Sequence, residues 1–360
     1  MKRRHFLRDV AMASSAATLL PRSFGMAWEK PIASASPTTG ISFFIVGDTH
    51  YCADAVDVSR MNENSARYNA GLVQQLNQLA GSTFPAELGG GIVADPLGVI
   101  HAGDIVDNGD KGPTKYNMAE TEAAAFVADW GLEGKEGKLR WPVREVYGNH
   151  DSPHGDGPVI SLIKERNQVR KGLAAVSDNG IHYSWDWGDV HFVSLGIVVG
   201  DAPEVTRKRR YSPLGSLPFL RQDLAANVGT SGRPVVLVHH VDLHRYSVAV
   251  PDEKVLNHEW DYGDALAFYE TLKPYHVVGT ICGHTHSRKI ARWNGTNNDR
   301  VTEGVPFLNT DNAAHFSKPD QAILHVELDA AEMRIREFNT SDGWTSGTWN
   351  PQMWKISLNT

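Results

Sequence analysis

The sequence predicts a layered α/β fold with a chemical site at the ends of its strands, and three observations carry that expectation. Short apolar, often β-branched runs alternate with stretches of helical periodicity. Five motifs rich in Asp, Asn and His each stand directly after one of the apolar runs. The composition of the 360-residue chain, 41% hydrophobic and 21% charged, is that of an ordinary globular protein, which sets aside disorder and membrane spanning.

The first 35 residues are expected to be an address rather than part of the fold. Arg3 and Arg4 stand just before Phe6 and Leu7, and a weakly apolar run over residues 10–20 follows. That run is well short of the ~20 apolar residues needed to cross a bilayer, so no stable membrane anchor is expected. The segment resembles a twin-arginine export signal, with small-residue cleavage sites after Ala27 or after Ala35. It implies the twin-arginine translocase as a partner and a periplasmic or secreted location. Such substrates fold before export, which suits a protein that loads a metal in the cytoplasm.

A Ser/Thr/Pro-rich linker over residues 31–40 precedes the domain, which should start near Ile41. Residues 41–47, 99–102, 143–147, 235–238 and 276–282 read as buried strands. Residues 65–80, 119–130, 159–169, 217–227 and 264–272 read as helices. Residues 181–195 form two strand-like runs around the turn sequence Asp186-Trp187-Gly188-Asp189, a β-hairpin. From Leu308 onward an antiparallel set is expected, including residues 322–328 and 333–338. One domain over roughly 40–340 results, with residues 341–360 as a C-terminal tail.

The motifs are Asp48-Thr49-His50, Gly103-Asp104, Gly148-Asn149-His150-Asp151, His239-His240 and Gly283-His284-Thr285-His286. In layered sheets the carboxyl ends of parallel strands converge on one crevice, so motifs remote in sequence can meet there. Asp, Asn and His without Cys form an oxygen and nitrogen ligand set suited to Mn, Fe or Zn. The Asp-x-His and His-x-His spacings let alternate residues reach an ion from one side. Seven candidate ligands exceed the need of one ion, and a carboxylate shared between two ions accounts for the surplus. Two such ions can bind both the attacking and the leaving oxygen of an in-line displacement at phosphorus.

In their order and their placement on strand ends, these motifs resemble the full set of the calcineurin-like metallophosphoesterases, over about residues 41–310. The resemblance implies a single-domain, four-layer α/β/β/α sandwich. It also implies a dinuclear-metal hydrolase of phosphate mono- or diesters, in which a metal-bridging hydroxide is the nucleophile. By position, Asp48, His50 and His286 would hold one metal, Asn149, His239 and His284 the other, and Asp104 would bridge them. His150 resembles the general acid that assists the leaving group, and Asp151 would orient His150. His240 could replace His239 as the ligand; His239 is preferred as the residue nearer the strand.

Departures from relatives narrow the class. Asp107 stands where purple acid phosphatases have a ligand Tyr, and Asn108 stands where protein phosphatases have a phosphate-binding Arg. Small-molecule phosphate esters remain as substrates, with specificity expected in the loops 54–64, 153–158 and 201–216. The net charge of −7 disfavours a nucleic-acid partner, and with it the reading as a secreted nuclease. A non-catalytic metal-binding protein on the same fold is the other alternative. The basic run Arg207-Lys208-Arg209-Arg210 reads as solvated surface, or as a rim attracting anionic substrates. His182 and His191 read as structural, and His154 and His244 as surface residues. Trp185, Trp187 and Trp260 read as packing residues, and Cys52 and Cys282 as inert thiols rather than a disulfide.

Overall fold

The computed structural model describes residues 40–201, 210–245 and 259–358; the segment expected to be an export signal and residues 207–209 of the basic run lie outside them. In chain order the strands are β1 (Ile41–Val46), β2 (Val99–His101), β3 (Val143–Glu145), β4 (Leu173–Val176), β5 (Tyr183–Trp187) and β6 (Val190–Ser194). They continue with β7 (Val235–Val238), β8 (Val277–Cys282), β9 (Lys289–Trp293), β10 (Val305–Asn309), β11 (Gln321–Leu328), β12 (Glu332–Thr340) and β13 (Thr348–Ser357). The α-helices are α1 (Glu63–Leu79), α2 (Tyr116–Trp130), α3 (Pro158–Val169), α4 (Ser216–Asp223) and α5 (Tyr262–Leu272), with a π-helical turn, Leu224–Val228, continuing α4.

β1 shows how the layers arise. It is apolar everywhere except Ser42 and is buried along its whole length, as a strand covered on both faces must be. Its side chains sort by parity: Phe43 and Ile45 enter one apolar cluster, Phe44 and Val46 another. The first cluster also takes Trp185 and Phe192 of the β5–β6 hairpin and Val236, Val278 and Ile281, so it is the seam between two sheets. A six-stranded sheet runs β13-β12-β11-β1-β2-β3, and a seven-stranded sheet runs β4-β5-β6-β7-β8-β10-β9.

Helices cover the two outer faces. On the six-stranded sheet, Asn69 of α1 donates to the Thr49 carbonyl, Trp130 of α2 meets the His101 ring edge-on at 5.3 Å, and Arg166 of α3 donates to Glu145 at 2.6 Å. On the seven-stranded sheet, Asp223 of α4 accepts from Ser184 and pairs with His191, while Phe268 of α5 lies against Trp293. The result is the four-layer α/β/β/α sandwich.

Two features of the sheets position the site. β1, β2 and β3 are mutually parallel, and so are β6, β7, β8 and β10, so their carboxyl ends form one edge. β10 pairs parallel with β8 and antiparallel with β9. The C-terminal segment departs from the tail expected over 341–360. β13 pairs with β12 as an edge strand, and Trp349 lies on Phe84 and Phe338. Pro351 lies within β13, and an edge strand tolerates a missing amide donor.

Candidate metal centre

The exits of the parallel strands are unusual backbone. Asp48, His50, Asp104, His284 and His286 all have positive φ, between 42° and 76°; among the described residues only Leu214 and Trp344 share this without being Gly. Residues bearing a Cβ rarely occupy that region, and they cluster where a site dictates the conformation. Gly148 is required for a different reason: a Cβ there would lie 2.2 Å from Asp104 Oδ1 and 2.4 Å from the Asp104 amide nitrogen. That absence of a side chain lets the β3 exit close onto the β2 exit.

Two donor groups meet at one carboxylate. On one side His286 Nε2 lies 3.3 Å from Asp48 Oδ1 and 3.2 Å from His50 Nε2. On the other, His240 Nε2 lies 3.2 Å from Asn149 Oδ1, and His284 joins the group of His240 and Asp104. Asp104 Oδ2 stands between, 3.7 Å from His50 Nε2 and 3.1 Å from His240 Nε2. The set fits a pair of divalent ions. Its donors are carboxylate, amide and imidazole without thiolate, and the imidazole nitrogens of His50 and His286 converge at 3.2 Å beside the Asp48 and Asp104 carboxylates. Burial alone would raise the carboxyl pKa of Asp48 and Asp104. The neighbouring histidines outweigh it, chiefly His286 for Asp48 and His240 for Asp104, and hold both below the usual range.

The structure corrects the choice between the adjacent histidines. His239 points away from the cluster, into an aromatic pocket against Trp260 and Phe268, and among the described residues neither ring nitrogen has a side-chain hydrogen-bond partner. Burial pushes its pKa down to about 3, the Val241 backbone only weakly opposing. His240 is the one that reaches Asp104 and Asn149. The reason is the pleat: β7 ends at Val238, and the next two side chains leave on opposite faces. Nearness to the strand does not decide which face looks into the crevice.

Asp151 also departs from its expected place. Its carboxylate is engaged by backbone amides: its Oδ1 accepts from the Val106 amide at 2.8 Å and its Oδ2 from the Gly148 amide at 2.7 Å. It therefore braces the loops after β2 and β3. Burial, together with the charge of Asp104, raises its pKa to about 7. His150 is held instead by its amide, which donates to Asp104 Oδ1 at 2.8 Å, and by its ring Nδ1, which donates to the Asp107 carbonyl at 3.3 Å. Its side chain is 32% exposed and its ring lies 4.8 Å from that of His50.

Three supporting residues were not assigned a role from sequence. Asp107 Oδ1 accepts from His50 Nδ1 at 3.2 Å, fixing the ring so that Nε2 faces the centre. Glu259 does the same for His284, 3.1 Å from its Nε2, and is itself held by Arg245 and by Arg210 at 3.2 Å. His284 and Arg245 hold the Glu259 carboxyl at about 2 although burial alone would raise it. Arg210, the described member of the basic run, is therefore engaged with a buried carboxylate. His315, on the loop after β10, packs its ring 4.4 Å from that of His50. From Leu308 onward an antiparallel set is expected, and nothing in the sequence places β10's carboxyl end beside the other exits.

The remaining readings are simply placed. Cys52 and Cys282 are both free. Trp185 and Trp260 are core residues. His244 lies against Phe307 and 3.4 Å from Lys289 Nζ.

With this geometry in place, comparison with known proteins identifies the class. The sequence model of the calcineurin-like phosphoesterases matches residues 41–288, and the chain belongs to that family. The family is one of dimetal-dependent phosphoesterases, and this chain carries the donor groups for such a centre. The fold is similar to that of a dimetal phosphatase from Danio rerio, at 14% identity over 90% of this chain and 100% of that one, with a TM-score of 0.53. PhoD matches at 9% identity over 92% of this chain and 74% of that one, with a TM-score of 0.49. The calcineurin-like phosphoesterase YfkN from Bacillus subtilis matches at 10% identity over 90% and 92%, with a TM-score of 0.37. At these identities the likeness concerns the fold alone. No curated protein matches the chain.

Proposed function

We propose that the chain is an exported enzyme that hydrolyses phosphate mono- or diesters of small molecules at a dinuclear centre. The observation that carries this reading is the single oxygen Asp104 Oδ2 facing His50 on one side and His240 on the other. Asp48, His50 and His286 would hold one ion and Asn149, His240 and His284 the other, with Mn, Fe or Zn matching the donor types. When bound, such a pair supplies the Lewis acid and the activated nucleophile for displacement at phosphorus. The chain's own residues do the rest. Asp107 and Glu259 set the rings of His50 and His284. His150 gives its Nδ1 proton to the Asp107 carbonyl, so its other nitrogen, Nε2, is free to offer a proton to the leaving oxygen when the ring is charged.

The test is hydrolysis of p-nitrophenyl phosphate and bis-p-nitrophenyl phosphate by metal-stripped protein with Mn, Fe, Zn or Mg restored. Metal-dependent turnover of either ester is expected, and the faster one assigns the ester class. Two bound ions with no turnover of either would favour the metal-binding alternative. Export by the twin-arginine translocase is part of the same proposal; Arg3-Arg4→Lys-Lys should abolish periplasmic accumulation.

A further inference from the structure

His315 is built into the edge of the centre with care that a surface residue does not need. Its loop begins at the carboxyl end of β10 and is folded around Asn312, which is fully buried. Asn312 Oδ1 accepts from the His315 amide at 2.6 Å, and its Nδ2 donates to the carbonyls of His315 and Asp320. The backbone carrying the ring is thus fixed from within.

The ring's tautomer is fixed as well. The Ser317 amide donates to His315 Nδ1 at 3.2 Å, and the Ser317 hydroxyl lies 2.7 Å from the same nitrogen. A backbone amide can only donate, so Nδ1 is the acceptor and the proton of the neutral ring sits on Nε2. That Nε2–H is turned toward the centre. It is 3.9 Å from Asp107 Oδ1, beyond hydrogen-bond reach, and the side chain is 20% exposed. The ring stands 4.4 Å from that of His50 and 5.4 Å from that of His286. His315 and His150 therefore pack on the same His50 ring. Asn108, by contrast, is buried and gives its Nδ2 to Glu122 at 2.6 Å, so it is committed elsewhere.

We propose that His315 is a substrate-contacting residue, its Nε2–H donating to a non-bridging oxygen of the phosphoryl group held at the centre. The proposal rests on the reading of the chain as a phosphoesterase. It assigns the phosphate-binding donor to a position outside the five motifs, on the loop of a further parallel strand.

The experiment compares wild type, His315→Ala and His315→Gln as two-metal holoenzymes. It measures metal content, the Kd of inorganic phosphate and the kcat and KM for the better nitrophenyl ester. A hydrogen bond to a charged oxygen makes the expected loss in phosphate affinity for His315→Ala about tenfold to a hundredfold. Metal content should not change, and His315→Gln, whose amide nitrogen can reach the place of Nε2, should recover most of the loss. Wild-type phosphate affinity and turnover in His315→Ala would overturn the proposal. Loss of an ion from His315→Ala would also overturn it, assigning the residue to support of His50 and His286. A wild-type holoenzyme that holds two ions yet neither binds phosphate nor cleaves either ester would instead sink the phosphoesterase reading.

Discussion

Replacing each of the two adjacent histidines separately gives the sharpest test of the centre. His240 and Asp104 have side chains 0% and 2% exposed and stand 3.1 Å apart. Removing one partner of such a buried pair costs about 3–5 kcal/mol, so metal-stripped His240→Ala should unfold at markedly lower urea concentration. It also removes a candidate ligand outright, which should weaken metal binding by more than the roughly 10–100-fold typical of losing an outer partner. His239 lies in the same dipeptide with its ring against Trp260 and Phe268. His239→Leu is close to a volume-conserving apolar exchange and should change stability by less than about 1.5 kcal/mol. It also stops burying two unpartnered ring nitrogens, which pushes the change toward stabilisation. Urea unfolding of stripped protein and elemental analysis of loaded protein decide the matter. Full metal content in His240→Ala together with metal loss in His239→Leu would refute the geometry.

Three further expectations concern the supporting residues. His150→Ala should lower turnover by about 10²–10⁴-fold while two ions remain bound, and activity near wild type would remove its role as acid. Asp107→Asn replaces the acceptor of His50 Nδ1 and should weaken metal affinity by about 10–100-fold, measured by competition with a chelator; unchanged affinity would mean that His50 needs no such partner. In metal-free protein burial alone would lower the pKa of His240, but the charge of Asp104 outweighs it and raises it to about 9. A raised histidine contributes stability in full below its unfolded value of about 6.5 and loses it as pH rises through about 9. Stripped wild-type protein should accordingly lose stability between those values, and stripped His240→Ala should lose less, only the share of His191 and His286, which are also raised, remaining.

The sequence carried the architecture because the layers follow from burial. β1, β2, β7 and β8 are short, apolar on both faces and followed at once by a ligand motif, so local pattern and global position agree. What it did not carry depends on side-chain direction or on long-range pairing. His239 and His240 have the same chemistry, and only the pleat at the end of β7 separates them. Asp151 follows His150 in the chain, but its carboxylate turns to the amides of Val106 and Gly148, which adjacency cannot reveal. Glu259 has no motif around it; it is found only because Arg245, Arg210 and His284 converge on it. β13 is an edge strand of exposed and half-buried residues with no apolar run to mark it, and the pairing of β10 with both a parallel and an antiparallel neighbour leaves no local signal.

The backbone at the centre shows why these pieces must act together. Five candidate ligand residues in the left-handed region cost about 1–3 kcal/mol each, a sum on the order of 5–15 kcal/mol that rivals the stability of a whole domain. Such conformations persist only where the surroundings over-determine them. Here the Asp48 amide donates to the Gly103 carbonyl at 2.9 Å, the His50 amide to the Asp104 carbonyl at 3.1 Å and the Gly283 amide to the His240 carbonyl at 2.9 Å. The His284 amide donates to Asp48 Oδ1 at 3.0 Å. Each bond joins the exit of one strand to the exit of another, and the last of them crosses from one sheet to the other. The exits of β1 and β2 are held to each other, those of β7 and β8 likewise, and Asp48 links the two pairs. The four-layer sandwich thus supplies the rigidity that lets remote residues converge on one carboxylate. Loops alone could not hold Asp104 Oδ2 between two opposing imidazoles.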